Sequence, residues 1–479
     1  MKYSWLILTS AILCSTALQP VWAQDVQPEP LPELPFEADM PLGEPDVAAE
    51  RAGNPDPFAQ ALESAYKLNP RIQASQRLVE QQDERVSQSL ANFRPNLSAN
   101  YDRGRQRTRF EGSDWNYGDT EAQQLSLEQP LFQGGGNFYR FYSAKENMLS
   151  ARADFLSAQQ QVLLESITAY MDVVQNYSLL ELSQNNADVL GRQLTASNER
   201  FEVGDVTRTD VAQSEARLSG ARAETIQARA NLESSIASFE RLVGYKPTLP
   251  LPAPDQFPPL PETKEAAIEQ ALAKNPSIDS FEHLKQAAEE DIGVSVSSLL
   301  PKVSLVGTMT RQDGAGVNGT SQFDTDSVQL SVSVPLYQRG AEYSRVRESK
   351  ILAKRREHLL LDTEQFVRES VIRAWENWQA AVSTITAQEE AIRAAEVALD
   401  GVRQEQQYGS RTILDVLDAE QELFIARVNL TRAQRNRIVA IYNLHLTLGD
   451  LLPGNLNLAV EQYDPTKHYD DVKWRLIGF

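Results

Sequence analysis

The chain is an internal duplication, and this feature restricts its fold more strongly than any other. LNPRIQASQ at 68–76 corresponds to KNPSIDSFE at 274–282, 206 positions later. LSLEQPLFQGG at 125–135 corresponds to LSVSVPLYQRG at 330–340, 205 positions later, so one single-residue difference separates these segments. A register kept over about 175 residues predicts two copies of one supersecondary unit that must pack against each other.

Segments of different composition flank and separate the copies. Lys2 and a following apolar run, with Val-Trp-Ala before Gln24, predict a signal peptide cleaved after Ala23, and this peptide contains the only cysteine, Cys14. The next residues are rich in proline and acid, which predicts a disordered tail. The predicted organisation is a signal peptide at 1–23, the tail at 24–57, a first repeat at 58–244, a proline-rich linker at 245–262, a second repeat at 263–450, and a C-terminal segment at 451–479 that packs at the equatorial region or is disordered.

Composition and motifs exclude several functional classes. A formal net charge of −20 argues against nucleic-acid binding. The four histidines lack metal-ligand spacing, so we expect no metal and no cofactor. GAGVNG at 314–319 fits a phosphate-binding pattern but lies between two strands, which favours a hairpin loop. No constellation supports a hydrolase, and we expect no enzymatic activity.

Each copy begins with a predicted helix of about 35 residues, followed by a β-hairpin. In the second hairpin Val303 and Leu305 alternate with Ser304, the period of a strand with one apolar face. Pro130 and Pro335 are expected to close the hairpins. The predicted strands span about 96–110 and 119–129 in the first copy, and about 302–312 and 324–334 in the second.

A very long helix follows each hairpin, over about 137–202 and 341–407. Its apolar residues recur every seven positions, which is typical of helices packed as coiled coils. About 66 residues at 1.5 Å each give a rod of roughly 100 Å. The chain then turns at Gly204 or Gly409, and a further helix of about 35 residues runs back.

These elements limit how the chain could meet a membrane. The sequence after the signal has no apolar run of about 18 residues, so any insertion must use strands. A sheet in lipid has to close on itself, and closed barrels need about eight strands or more. Four strands therefore require several copies of the chain, and the resulting tube predicts conduction. The alternative is a non-conducting periplasmic coiled-coil protein with a structural or adhesive role.

The duplicated layout and its motifs resemble the TolC family of outer-membrane channel-tunnels. The most specific motifs are RFEVGDVTRTDVAQSEARL at 200–218 and YGSRTILDVLDAEQELF at 408–424. P-x-[LV]-S opens each hairpin and P-L-[FY]-Q closes it. The resemblance covers about 58–450 and is most similar to the branch that serves type I protein secretion.

The resemblance implies a mainly α fold with a β-barrel portion. A homotrimer would form an outer-membrane barrel of about 12 strands, continued by a periplasmic α-barrel of about 12 helices. The implied location is the Gram-negative outer membrane, extending into the periplasm. The implied partners are outer-membrane lipid, a periplasmic adaptor (membrane fusion) protein, and an inner-membrane ABC or proton-driven transporter. The implied function is export of protein substrate, of small toxic molecules, or of both.

The resemblance also places a gate at the turns that follow the long helices, at Gly204 and Gly409. Arg411 matches an arginine that restrains the closed tip through a salt bridge, and its expected partner is Asp210. The best-known family member has a gate tyrosine where this chain has Gln406. We therefore expect a different set of closing contacts.

Helix caps account for part of the same motif. Thr412 and Asp415 fit the S/T-x-x-D/E capping pattern, as Thr207 and Asp210 do in the first copy. An acid in the first turn of a helix also interacts favourably with the helix dipole. Asp415 and Asp210 thus have a local role, which is compatible with a second role at the pore.

A pore role is predicted most directly for Asp418. Asp415 and Asp418 match two family acids that ring the narrowest, periplasmic end of the channel. Asp418 has no capping role, and its counterpart in the first copy is Gln213. A ring of carboxylates focuses a negative potential and favours cations. We therefore expect an aspartate-lined gate led by Asp418.

Overall fold

A computed structural model describes residues 56–109, 111–112, 114–316 and 319–475. The predicted signal peptide and nearly all of the predicted acidic tail lie outside these residues. Within them the chain forms helices and a single four-stranded sheet. In this described part, no helix is both long enough and apolar enough to cross a membrane.

The elements repeat in the same order in both copies. The helices are α1 (Pro57–Leu68), α2 (Pro70–Ala91), α3 (Gly136–Glu202), α4 (Arg208–Val243), α5 (Lys264–Lys274), α6 (Pro276–Ser297), α7 (Ala341–Gln407), α8 (Ile413–Leu448) and α9 (Lys467–Val472). The strands are β1 (Asn96–Thr108), β2 (Asn116–Gln133), β3 (Lys302–Gly316) and β4 (Gly319–Ser333). The long helices α3 and α7 have 67 residues each, and both returning helices, α4 and α8, have 36.

The opening helix of each copy is two helices, so the prediction of one continuous helix is wrong. Each break is an asparagine-proline pair, Asn69-Pro70 or Asn275-Pro276. The asparagine side chain accepts from the backbone two residues on, with 2.9 Å from Arg71 N to Asn69 Oδ1. Proline has no N–H to continue the first helix, but its fixed φ suits the first position of the next.

The two hairpins join into one antiparallel sheet in the order β1-β2-β3-β4. The prediction that Pro130 closes the first hairpin is wrong, because β2 continues to Gln133. The pairing with β3 shifts between Pro130 and Phe132, and a bulge of this kind accommodates a proline that cannot donate to the ladder. β4 ends two residues before Pro335, in agreement with the prediction there.

The sheet has one polar and one largely apolar face. On the polar face, Ser98 and Ser126 hydroxyls are 2.7 Å apart, and Thr308 and Ser327 hydroxyls are 2.6 Å apart. The opposite face is called the Leu97 face. Its apolar part consists of Leu97, Ala99, Tyr101, Leu125, Leu127, Val303, Leu305, Met309, Val328, Leu330 and Val332. These side chains are largely uncovered in the single chain, with Val328 80% exposed.

The main core lies midway along the helices, where both copies meet. Tyr170, Phe239 and Tyr442 come from α3, α4 and α8 and are buried together with Phe58 of α1. The proline-rich linker packs on this cluster, and Tyr170 Oη donates to the Pro252 carbonyl at 2.8 Å. Contacts from both repeats and the linker therefore hold α3, α4 and α8 together at this level.

The C-terminal segment packs against the first repeat as far as residue 475. Tyr463 lies against Phe155 with ring centroids 5.2 Å apart. Asp83 on α2 is fully buried and contacts Arg152 at 3.3 Å and His468 at 3.5 Å. Burial raises the pKa of Asp83, while the contacts with Arg152 and then His468 oppose that increase. The segment is therefore attached beside α2 and α3 by aromatic and charged contacts.

Candidate gate at the helix tips

Two short turns connect each long helix to its returning helix, at 203–207 and 408–412, and are called the tip turns. Gly204 has φ +81° and Gly409 has φ +79°. Only glycine adopts this left-handed conformation without strain, which explains a glycine at both positions. No other atoms lie within 4 Å of the space for a Cβ at either glycine, so backbone conformation alone requires them.

Both returning helices begin with a complete capping box. Asp415 Oδ2 accepts from Thr412 N and from Thr412 Oγ1, each at 2.8 Å, and Asp415 N donates back to Thr412 Oγ1 at 3.2 Å. Thr207 and Asp210 make the same contacts in the first copy. The backbone donor of Thr412 and then its hydroxyl lower the pKa of Asp415, so this carboxylate is charged at neutral pH.

Arg411 pairs across its own tip turn with a residue that the sequence did not indicate. Arg411 Nε donates to Glu405 Oε2 at 2.9 Å, and Glu405 followed by Asp415 raises the pKa of Arg411. Asp210 is held in its own capping box. The expected bridge from Arg411 to Asp210 is therefore not formed among the described contacts of the single chain.

Asp418, which has no capping role, forms an ion pair with an arginine of the first copy. Arg217 Nη2 on α4 donates to Asp418 Oδ1 on α8 at 2.5 Å. The side chains are 41% and 55% exposed, so this bridge is in contact with water. At the repeat offset of 205 residues, the second-copy counterpart of Arg217 is Glu422. The bridge is thus a contact between the copies that the duplication itself does not repeat.

An apolar cluster under the bridge determines which way the start of α8 faces. Ile413 and Leu417 are 5% and 1% exposed. They pack with Leu218 and Ala221 of α4 and with Leu190 of α3. Because these apolar side chains point inward, the acids that alternate with them are left on the more exposed side of α8.

Further along, arginine–glutamate bridges join α7 to α8. Arg403 Nη2 donates to Glu420 Oε1 at 2.9 Å, and Arg427 Nη2 donates to Glu396 Oε1 at 2.8 Å. The Glu420 side chain is only 7% exposed, so the Arg403 bridge is the more shielded of the two. A buried carboxylate that lost its arginine would be left without its counter-charge, so this bridge holds the helix pair together.

Gln406 occupies the position of the family's gate tyrosine, and the nearby tyrosine, Tyr408, makes no link to another helix among the described contacts of the chain. The Gln406 carbonyl accepts from Gly409 N at 3.0 Å and so belongs to the tip turn. The Tyr408 side chain is 89% exposed. The helix pairs near the tip are therefore joined by arginine–carboxylate bridges and by the apolar cluster of Ile413 and Leu417.

The tip offers charge and hydrogen bonds rather than chemical catalysis. Among the residues that the structure describes, no three histidine, cysteine, aspartate or glutamate side chains are grouped as a metal ion would require. The polar groups at the tip are capping carboxylates and exposed ion pairs. Such groups can restrain helices and set the potential of a pore.

Comparison with known proteins agrees with this architecture. The family model described as outer membrane efflux protein matches residues 61–245 and 267–450, which correspond to the two repeats. The chain is 31% identical to outer membrane efflux protein BepC of Brucella suis over 90% of this chain and 94% of BepC. It is 28% identical to alkaline protease secretion protein AprF of Pseudomonas aeruginosa over 85% of this chain and 88% of AprF.

A solved structure has the same fold. The CmeC outer membrane channel of Campylobacter jejuni superposes with a TM-score of 0.73 at 15% identity, over 87% of this chain and 89% of CmeC. The family model and BepC are described as outer membrane efflux proteins, and CmeC as an outer membrane channel. These similarities confirm the expected fold, the outer-membrane location and the expectation that the chain is not an enzyme. A non-conducting periplasmic coiled coil does not fit these relatives. The chain therefore belongs to the outer membrane efflux protein family, as its resemblance to TolC channel-tunnels indicated.

Proposed function

We propose that this chain forms the outer-membrane duct of a tripartite export system and assembles as a homotrimer. One observation carries the proposal: a sheet with an exposed apolar face and two unpaired edges leads directly into two 67-residue helices. Three such sheets supply about 12 strands, enough for a closed barrel in lipid. The attached helices then continue the duct through about 100 Å of periplasm.

The tip turns form the gate in this proposal. In each protomer Arg217 and Asp418 hold α4 to α8, while Arg411 and Glu405 close the second tip turn. Asp415 and Asp418 from three protomers surround the pore axis, and the Arg411–Asp210 bridge forms between neighbouring protomers when the tips converge. Opening separates the tips, breaking exposed ion pairs that cost little individually.

The partners are an adaptor protein in the periplasm and an ABC or proton-driven transporter in the inner membrane. The energy for export comes from that transporter. The relatives AprF and BepC are named for protease secretion and for efflux respectively. We therefore assign to this duct protein substrates of type I secretion, small toxic molecules, or both, with the transporter selecting among them.

Single-channel recording in a planar bilayer tests the duct. The folded, trimeric protein is expected to conduct, and more strongly as an Asp418→Ala and Arg411→Ala double variant because two restraints on the tips are removed. A folded trimer without conductance in either form would overturn the proposal. The cargo is tested separately by deleting the gene and comparing the secreted proteome with sensitivity to toxic compounds.

A further inference from the structure

The sheet ends on both sides in a long strand that pairs on one side only. β1 has 13 residues and β4 has 15, and in the order β1-β2-β3-β4 each leaves one edge without a partner. Unpaired N–H and C=O groups along such an edge are costly in lipid. In a closed ring of copies, as in the proposed duct, β4 of one copy therefore lies beside β1 of the next.

The Leu97 face of β1 changes from apolar to basic partway along the strand. Residues two apart in a strand share a face. Leu97 and Tyr101 are therefore followed on the same face by Arg103, Arg105 and Arg107, all of them exposed. We call these three arginines the basic ladder.

The same face of β4 also has a charged part and an apolar part, but its charged part is acidic. Leu125 opposes Met309 and Met309 opposes Asp326, so Asp326 lies on the Leu97 face, as does Asp324 two residues earlier. The apolar part begins at Val328 and continues away from the hairpin loop. On both edge strands the charged part thus lies at the loop end and the apolar part at the helix end.

The boundary between apolar and charged residues indicates how β1 of one copy is aligned with β4 of the next. Both strands cross the same bilayer, so the ends of their apolar parts lie at the same depth. The boundary falls after Tyr101 on β1 and before Val328 on β4. At a junction between copies with aligned boundaries, the basic ladder of one copy would face Asp324 and Asp326 of the other.

Contacts within the chain leave part of this charge available. Arg105 Nε lies 2.9 Å from Asp119 Oδ1, and Arg107 stacks over the Trp115 ring at 4.7 Å. Asp324 lies 3.7 Å from Arg311. In the described part of the chain, neither Arg103 nor Asp326 has an ion-pair partner.

The balance of charge favours another copy of the chain over anionic lipid as the partner. The first hairpin has more cations than acids on the Leu97 face, and the second has more acids than cations, so the excess charges meet at the junction. On the Leu97 face of one copy as a whole, the acidic residues outnumber the arginines, which does not favour an anionic lipid. The arginines are Arg103, Arg105, Arg107 and Arg311, and the acids are Asp119, Glu121, Asp313, Asp324 and Asp326.

We propose that the basic ladder of β1 pairs with Asp324 and Asp326 on β4 of a neighbouring copy, and that this charged seam sets the register in which copies join. Apolar residues specify that register weakly, because a slip of two residues returns every side chain to the same face. Opposite charges across a strand pair stabilise it, and a slip of two residues would place either Asp326 against Tyr101 or Arg103 against Val328. The proposal rests on the proposed duct for the closed ring of copies and for the bilayer that the strands cross.

Disulfide cross-linking tests the seam directly. The only native cysteine is Cys14, inside the predicted signal peptide. Arg105→Cys is combined with Asp326→Cys or with Asp324→Cys, and the same is done at the other two positions of the ladder. Oxidised membranes are expected to contain covalent oligomers for at least one combination, because directly opposed strand residues have suitable Cα spacing. Asp102→Cys with Asp326→Cys is the matched control, since Asp102 lies on the polar face, and it is expected to give none.

Charge exchange tests the energetic role of the seam. Arg105→Asp alone, or Asp326→Arg alone, is expected to lower the temperature at which the oligomer dissociates in detergent. The double exchange, Arg105→Asp with Asp326→Arg, is expected to restore it. The opposite result would be an unchanged dissociation temperature in the single variants together with a smaller amount of copurified phosphorylated lipid. That result would overturn the seam in favour of lipid binding.

The seam and the duct can fail independently. A trimer that conducts in a planar bilayer, but gives no cross-link in any combination of the ladder with Asp324 or Asp326, would overturn the seam and leave the duct intact. Cross-linked oligomers that do not conduct would support the seam and contradict the duct.

Discussion

Asp415 and Asp418 are three positions apart on one helix, yet their side chains make different contacts. Asp415 is held by Thr412 at the helix start, whereas Asp418 reaches α4 and binds Arg217. A carboxylate that already accepts two hydrogen bonds from its cap is less free to bind an ion. In the proposed duct we expect Asp418 to contribute to the potential of the pore together with its arginine.

Cation block of conductance separates these roles. Multivalent cations added from the periplasmic side are expected to block, and Asp418→Ala is expected to weaken the block more than Asp415→Ala. Arg217→Ala is expected to strengthen it, because the carboxylate of Asp418 loses its counter-charge. Block is measured as the cation concentration that halves the current.

The control for this experiment is Arg229→Ala, a change of the same kind further along α4, which is expected to leave the block as in the native protein. A block that is the same in the native protein and in both aspartate variants would contradict a gate at this site.

The caps themselves can be tested at the residue scale. Thr412→Ala is expected to speed amide hydrogen exchange in the first turn of α8 by about fivefold, because a threonine cap typically contributes stability of that size. The pKa of Asp415 is lowered in the folded state, so the cap is fully formed at neutral pH and is lost as the pH falls through that lowered value. Thr207→Ala is the matched variant in the first copy. If Thr412→Ala left the rate of amide exchange in α8 unchanged, the proposed contribution of the cap would be contradicted.

At the scale of elements, glycines determine how closely helices approach at the base of the sheet. A Cβ on Gly293 of α6 would lie 2.4 Å from Cδ1 of Tyr139 on α3. On the opposite side of the same crossing, a Cβ on Gly136 would lie 2.3 Å from Ser297 Oγ. The start of α3 and the end of α6 can therefore cross closely only because these positions have no side chain.

Gly293→Ala is expected to destabilise the protein by about 1–3 kcal/mol, the usual cost of adding atoms to a packed contact. Thermal unfolding in detergent measures the effect. Gly220→Ala is the matched control: Gly220 also lies within a helix, but nothing lies within 4 Å of its Cβ position. Its expected effect is slight stabilisation, since alanine favours helix more than glycine does. Equal stability of both variants would contradict the close crossing.

At the scale of the whole molecule, the two copies have diverged where they meet at the tip. The caps and the glycines of both tip turns are the same, whereas the Arg217–Asp418 and Arg411–Glu405 bridges have no equivalent pair in the other copy. A ring built from such copies alternates two kinds of helix pair. Only one of those pairs contributes Asp418, so in the proposed gate we expect the restraints on opening to be unequal around the ring.

Removing the bridge between the copies is expected to open the duct. Arg217→Ala should raise single-channel conductance, and Arg217→Ala with Arg411→Ala should raise it further, because each change removes a different restraint on the tip. Arg403→Ala is expected to lower trimer yield instead, since it leaves the shielded carboxylate of Glu420 without its arginine. Conductance equal to that of the native protein in the Arg217 and Arg411 variants would contradict their restraining role.

Local signals in the sequence were sufficient for the element order, the duplication and the family. Apolar periodicity indicated the strands and long helices, and glycine and threonine marked the tip turns and caps, because these preferences act within a few residues. At Asn69-Pro70 the same local preferences favour a break, and proline divides the one expected helix into two. At Pro130 the neighbouring strand accommodates a bulge, which the local sequence does not reveal.

The pairing of charges was decided only by the tertiary structure. Arg217 and Asp418 are 201 positions apart in the chain, and they meet because the apolar cluster around Leu417 places α8 against α4. Likewise, the alternating arginines of β1 can be matched with acidic residues of β4 only once the strand register is known. That register assigns Asp324 and Asp326 to the same face as the arginines. Long exposed side chains have many possible partners in a sequence, and only the packing of the backbone elements selects among them.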